Sequence, residues 1–278
     1  MRVGCQGWNY DDWVTPAGAA RPVFYPRGTR ADRMLDVYAR AFDTVEVDST
    51  FYAAPAESVL EGWARRTPAG FTFALKLPQE ITHEHSLRGP RAAAALADFC
   101  ARARRLGPKL AAVLVQLPPQ FEATAENARA LGDFLPLLPA DIRFAVELRD
   151  PFWFEEELLA PLARGPHLSL ALVEGPWVTR ERLWRAAVGV LEAADFAYVR
   201  WMGARDLTRF DRVEREMGRN LDLWARAVER LADRRLRVYA YFSNFYEGHA
   251  PASAYKLRRL LGQEVVDPGE LENQPSLF

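Results

Sequence analysis

Eight short β-rich runs, each followed by a stretch of helical periodicity, constrain the fold of this 278-residue chain more than any single motif does. The runs cover residues 2–5, 44–48, 71–76, 110–116, 142–147, 168–173, 196–201 and 237–242. Helical patterns fall at 31–41, 58–66, 90–106, 126–135, 155–163, 180–194, 221–232 and 252–260. Strands that alternate with helices pair in parallel through right-handed crossovers, and eight such units favour a closed barrel over an open doubly wound sheet. The first run leads into Gly4-Cys-Gln-Gly-Trp8, which lacks the glycine spacing of a dinucleotide-binding turn. The expected architecture is therefore α/β, a single (β/α)8 TIM-type barrel over residues 1–262. From 263 to 278 the periodicity stops, acids and prolines accumulate and few apolar residues remain, so this stretch is expected to be a flexible acidic tail.

A formal net charge of -1 gives no global field that attracts nucleic acid, and 2 cysteines are too few for a disulfide framework. No apolar run approaches the length of a membrane span and no charged-then-apolar leader opens the sequence. The expected location is the cytoplasm, with no membrane partner. Lys76, Lys109 and Lys256 are the only lysines, in a chain otherwise rich in arginine.

In a barrel of this kind the C-terminal strand ends converge on one mouth, where barrel enzymes keep their chemistry. The ends here bring together Gln6, Trp8, Glu46, Asp48, Tyr52, Lys76, Gln116, Glu147, Arg149, Glu174, Arg200 and Asn244. Period-2 alternation puts Glu46 and Asp48 on one face and Val45 and Val47 on the other. Lys76 likewise shares a face with Thr72 and Ala74, and Glu147 opposes Phe144 and Val146. The acids Glu46, Asp48 and Glu147 nearly balance Lys76, Arg149 and Arg200, which allows burial as pairs and shifts their pKa values by proximity. Among these acids Lys76 is expected to keep a high pKa. Such a cluster also occurs as a salt-bridged plug that only fixes barrel register. A ligand site is favoured, because polar groups at so many strand ends are costly unless used.

Several of these residues sit in motifs that resemble those of the YecE-like family, the domain of unknown function 72. They are Gly4-Cys-Gln-Gly-Trp8 with Trp13, Phe24-Tyr-Pro26, Val45-Glu-Val-Asp-Ser-Thr-Phe-Tyr52, Phe73-Ala-Leu-Lys76, Ile81-Thr-His83, Gln116-Leu-Pro-Pro119, Ala145-Val-Glu-Leu-Arg149, Tyr198-Val-Arg200 and Tyr241-Phe-Ser-Asn244. The resemblance runs in order over residues 1–262 and implies a TIM-type barrel of unassigned activity. The chain departs from the family pattern at Asp48, where Asn is usual, Ala53 for Arg, Met202 for His, and Ser243 for a second Asn.

The expected catalytic residues are Glu46, Glu147, Lys76 and His83. Two carboxylates held in different protonation states serve as general acid and base on a glycosidic or similar bond, and a desolvated Lys76 is the alternative, Schiff-base nucleophile. Trp8, Asp48, Tyr52, Gln116, Arg149, Arg200 and Asn244 are the expected ligand-binding residues, with the arginines on anionic groups and the aromatics stacking on a ring. His83-Glu-His85 has metal-ligand spacing, but it follows Pro78 in a loop and only His167 and His249 lie elsewhere; a divalent metal is not favoured and no cofactor is assigned. The reading is an enzyme, a hydrolase, lyase or isomerase, acting on a small polar, sugar-like or phosphate-bearing ligand.

The sequence closes on Gln274-Pro-Ser-Leu-Phe278, which resembles the bacterial sliding-clamp-binding motif through Gln274, Leu277 and Phe278. That resemblance implies a sliding clamp as partner. It opens an alternative in which the barrel processes nucleic acid, by phosphodiester cleavage or in DNA repair, with the arginine-rich stretch 200–219 on the backbone. A non-catalytic binding module is the third alternative.

Overall fold

The computed structural model describes residues 1–273. Eight parallel strands close in sequence order: β1 Arg2–Gln6, β2 Thr44–Val47, β3 Thr72–Lys76, β4 Leu110–Gln116, β5 Phe144–Glu147, β6 Leu168–Glu174, β7 Phe196–Trp201 and β8 Arg237–Phe242. β8 returns to β1 in register, with Gly4 opposite Tyr241 and Cys5 opposite Phe242. Around them lie α1 Met34–Ala41, α2 Glu57–Arg65, α3 Gly89–Ala103, α4 Ala125–Phe134, α5 Glu156–Leu159, α6 Arg180–Ala193, α7 Gly218–Asp233, α8 Asn244–Glu247, α9 Ala250–Leu260 and α10 Pro268–Asn273. The fold is the expected (β/α)8 barrel. The pattern at 155–163 is only partly an α-helix: α5 gives way to a tighter turn over Ala160–Arg164, where Pro161 removes a backbone donor. Among the described residues no helix is long and apolar enough to cross a membrane.

Alternation divides the apolar side chains into two cores. Outward-facing Phe73, Leu75, Val113, Val115, Phe144, Val146 and Phe242 pack under the helices. Inside the barrel, Tyr198, Tyr239 and Tyr241 of β7 and β8 fill the space left by Ala74, Ala112, Ala145 and Ala171 of β3 to β6. Tyr241 Oη meets Thr44 Oγ1 at 2.9 Å, and Thr72 Oγ1 donates to Thr44 Oγ1 at 3.0 Å, so the hydroxyls of Tyr241, Thr44 and Thr72 satisfy one another. Two close approaches fix the strand ends. A Cβ on Gly4 would sit 2.2 Å from the Thr44 carbonyl oxygen, and Gly203, at φ +66°, passes so near the Phe245 carbonyl that a Cβ would lie 2.1 Å from it.

The stretch beyond 262 differs from the expected tail as far as it is described. α10 lies against α1, Leu271 is buried in the outer core, and Val265 and Val266 pack partly against it. One well-placed leucine anchors a segment whose composition alone indicates none. Gln274, Leu277 and Phe278, the residues of the clamp-motif resemblance, lie outside the described residues.

Candidate active site

Arg200, on the inward face of β7, is the hub of the barrel mouth and is 1% exposed. Its Nε donates to Glu46 Oε2 at 2.9 Å and its Nη2 to Glu46 Oε1 at 2.7 Å, a two-point grip on the β2 carboxylate. Its Nη1 donates to Glu147 Oε2 at the end of β5. Tyr198, two residues earlier on the same face, donates its hydroxyl to Glu46 Oε2 at 2.6 Å. Arg149 closes the cluster above β5: its Nε donates to Glu147 Oε1 at 2.7 Å, and its guanidinium lies 4.2 Å from the ring centre of Trp177.

Two fully buried carboxylates therefore share one arginine, and only one of them has a second. Burial pushes Glu46 up to about 7, because Arg200 pulls it back only in part and Asp48 adds a like charge. Glu147 feels the same burial, but Arg200 and Arg149 together outweigh it and hold the group down at about 2. The two carboxyls are thus driven apart in protonation behaviour, as paired acids in active sites are.

Lys76 stands apart from this lattice. The backbone at the end of β3 is held by Thr50, whose Oγ1 accepts from Lys76 N at 2.9 Å and donates to Lys76 O at 2.7 Å. Its Nζ lies 3.9 Å from the centre of the Phe51 ring and makes no hydrogen bond or ion pair among the described residues. The expectation of a high pKa is overturned: burial lowers Lys76 to about 8, and the attraction of Asp48, Glu147 and Glu46, partly cancelled by Arg200, does not restore it. Asp48 meets Arg200 Nη2 only at 3.8 Å, and its buried Oδ1 has no hydrogen-bond partner. His83, in a single π-turn over Glu80–Glu84, touches the edge of Phe51 with ring centres 4.9 Å apart. Burial, then the charges of Lys76 and Arg149, hold the imidazole below its ordinary value, which keeps it neutral at physiological pH.

The mouth brings together Glu46, Asp48, Lys76, His83, Glu147, Arg149 and Arg200. The other expected site residues are placed differently. Gln116 is buried on β4, where its Nε2 reaches the Leu117 carbonyl at 3.4 Å. Asn244 is buried at the start of α8, its Oδ1 accepting from Trp13 Nε1 at 3.1 Å and from Ala250 N at 3.0 Å, so it ties three segments together. Trp8 packs edge-on against Trp63 and Phe73 and borders a small cleft that also reaches Asp48. Tyr52 projects into solvent, 75% exposed, beside a cleft lined by Pro78 and Glu80. Phe51, not Tyr52, is the aromatic partner of Lys76, because a turn over Asp48–Phe51 rather than a continued strand follows β2. Sequence reasoning missed Phe51, Trp177 and Tyr198 as site residues. The i, i+2 relation of Tyr198 to Arg200 carried the signal for the last, whereas Trp177 lies in a loop without periodicity.

At the departures from the family pattern, Met202 Sδ accepts from Gln6 Nε2 at 3.1 Å and Ser243 caps α8 through Phe245 N at 3.3 Å. Among the described residues no group of three or more His, Cys, Asp or Glu side chains is arranged to hold a metal ion. In the stretch after β7, Arg209 pairs with Asp211 at 3.1 Å, Arg212 with Glu214 at 2.9 Å, and Arg215 with Asp206.

Residues 2–276 match the family model described as protein of unknown function DUF72. The chain belongs to DUF72. It is 35% identical over 168 residues to the UPF0759 protein YecE of Escherichia coli K12, a match covering 59% of this chain and 54% of YecE. It is 32% identical over 158 residues to the UPF0759 protein YunF of Bacillus subtilis, covering 55% and 51%. The matched stretch thus spans about half the length of each relative. A DUF72 crystal structure from Thermotoga maritima superposes with a TM-score of 0.73 at 24% identity, covering 94% of this chain and 99% of that one. One from Enterococcus faecalis gives 0.70 at 19%, covering 100% and 99%. D-psicose 3-epimerase shares the barrel at a TM-score of 0.54 and 10% identity, covering 98% and 95%, a likeness of fold alone.

Proposed function

We propose that this DUF72 chain is an enzyme that binds a small anionic, polar substrate at the barrel mouth and moves a proton on it through Lys76. The observation that carries the reading is that, among the described residues, Lys76 is the buried cation of the mouth that makes no hydrogen bond or ion pair, its contact being the face of Phe51, while Glu46, Glu147, Arg149 and Arg200 are bonded to one another. An unpaired, desolvated amine with a pKa of about 8 is roughly one-quarter neutral at pH 7.5 and serves as base and acid in turn. Arg149, His83 and the ammonium form of Lys76 supply donors for an anionic group. Glu46, locked beneath Arg200, acts as a positioning residue that sets the local charge.

This is the chemistry of lyases and isomerases more than of glycoside hydrolysis. Hydrolysis at paired carboxylates needs both to face substrate, and Glu46 and Glu147 are 0% exposed. A nucleic-acid reading draws little from the loop after β7, where three arginines are engaged by the loop's own acids. The test is a turnover screen of phosphorylated and carboxylated metabolites with the wild type and Lys76→Met. A substrate of the wild type is expected to lose about 10²–10⁴-fold in kcat in the variant. Undiminished turnover by Lys76→Met would remove Lys76 from the chemistry.

A further inference from the structure

A cleft of about 450 Å³ opens beside Arg149 at the ends of β4 and β5, within the size range of small-ligand sites, about 300–1,000 Å³. Its walls include Pro119, Ala123, Pro151 and Phe152. Phe152 is 69% exposed, a bare ring at the rim of the mouth. The loop that presents it is tied down on every side. Asp150 Oδ1 accepts from Phe152 N at 3.1 Å, and its Oδ2 accepts from Ala123 N at 2.7 Å. Trp153, the next residue, is buried, donates its Nε1 to the Phe121 carbonyl at 2.8 Å and stacks on the Phe121 ring with centres 5.6 Å apart. An aromatic ring held in place by its neighbours yet left uncovered is a stacking platform whose ordering has already been met in folding.

The same cleft is lined by Arg149, whose Nε is spent on Glu147 while Nη1 makes no hydrogen bond among the described residues. The platform and a guanidinium donor therefore lie in one cleft that adjoins the mouth. Asp150 is taken by two backbone N–H groups and Thr124 Oγ1 by Asn127 N at 3.2 Å, which leaves the carboxylate of Glu122, also in the wall, as the acceptor for a sugar hydroxyl. The cleft thus offers a face for a flat ring, an acceptor for a sugar hydroxyl and one guanidinium nitrogen, Nη1, for an anion. We infer that the ligand is a nucleoside phosphate, its base stacked on Phe152, its phosphoryl group on Arg149, and whatever that group carries directed toward Lys76. This assignment rests on the proposed mouth chemistry and names its substrate class.

The experiment is calorimetric titration of the full chain with AMP, ribose 5-phosphate and inorganic phosphate, repeated on Phe152→Ala, whose exposed side chain makes folding of the variant secure. Stacking of one base on an aromatic ring predicts that AMP binds roughly 5–150-fold more tightly than ribose 5-phosphate. Phe152→Ala is expected to erase that preference and leave ribose 5-phosphate binding unchanged. Quenching of the indole in Phe152→Trp by AMP, and not by inorganic phosphate, gives an independent readout. Equal affinities for AMP and ribose 5-phosphate, or AMP binding untouched by Phe152→Ala, overturn the nucleoside assignment and leave the anion site standing. If none of the three ligands binds, both the nucleoside assignment and the anion-binding part of the proposed function fail.

Discussion

Replacing Arg200 with methionine strands the two carboxylates that it joins. Glu46 loses the one cation in contact with it among the described residues and becomes neutral in the folded variant. The wild-type group, at about 7, already disfavours folding as pH rises through that value, since a raised folded pKa contributes stability only below the ordinary one. Keeping it neutral at pH 8 costs about one further pH unit, roughly 1 kcal/mol. Glu147 has the opposite sign. Held at about 2 against an ordinary 4.5, it contributes roughly 3 kcal/mol above pH 4.5, and most of this is lost with Arg200, the larger of the two charges that oppose its burial. The total is about 4 kcal/mol at pH 8, within the roughly 3–5 kcal/mol measured when one partner of a buried ion pair is removed. At pH 5 the Glu46 part disappears and the penalty falls to about 3 kcal/mol. Thermal melts followed by circular dichroism at both pH values read this as a fall of roughly 8–16 °C at pH 8, and a smaller one at pH 5. A variant within about 2 °C of the wild type at pH 8, or a penalty that grows as pH falls, refutes the shared-arginine account.

Asn244→Ala removes the acceptor of Trp13 Nε1 and Ala250 N, both buried, and is expected to destabilise the fold by about 1–3 kcal/mol in urea titrations. Because the Glu147 carboxylate is lost as pH falls from 4.5 toward 2, the wild type is expected to shed that group's contribution over this window; Glu147→Gln should show a flatter acid limb in the same melts. If the motif at Gln274, Leu277 and Phe278 engages a bacterial sliding clamp, full-length protein should bind it with micromolar affinity, and truncation after residue 273 should abolish binding. Equal binding by the two forms would assign any association to another surface.

The barrel was legible because its signal repeats. The runs at 110–116, 196–201 and 237–242 coincide with β4, β7 and β8, and the inward set Thr72, Ala74 and Lys76 followed from alternation alone. Convergence of strand ends also placed Glu46, Lys76, Glu147, Arg149 and Arg200 correctly in one mouth. Pairing was not legible, since which carboxylate takes the second arginine depends on side-chain reach across a closed barrel rather than on spacing. Loop geometry was hidden for a related reason. Nothing in Ser49-Thr-Phe-Tyr52 says that the chain turns after Val47, so that Phe51 meets Lys76 and Tyr52 points outward. Desolvation was the third gap: the sequence places acids near Lys76 but does not show that burial outweighs them. The short helix at Pro268–Asn273 shows the same limit, with one buried Leu271 deciding what average composition cannot.

Site-resolved amine labelling tests the central claim most directly, because the chain has only three lysines to resolve. Lys109 Nζ is held by the Ala64 and Thr67 carbonyls at 2.6 and 2.7 Å, and Lys256 by Glu216 at 2.8 Å and Glu247 at 3.1 Å. Pulse labelling with trinitrobenzenesulfonate across pH 6–11, read peptide by peptide by mass spectrometry, should show Lys76 reacting with a midpoint near 8, well ahead of Lys256. A Lys76 midpoint above about 10, the range of an ordinary exposed lysine, would contradict a poised amine at the barrel mouth.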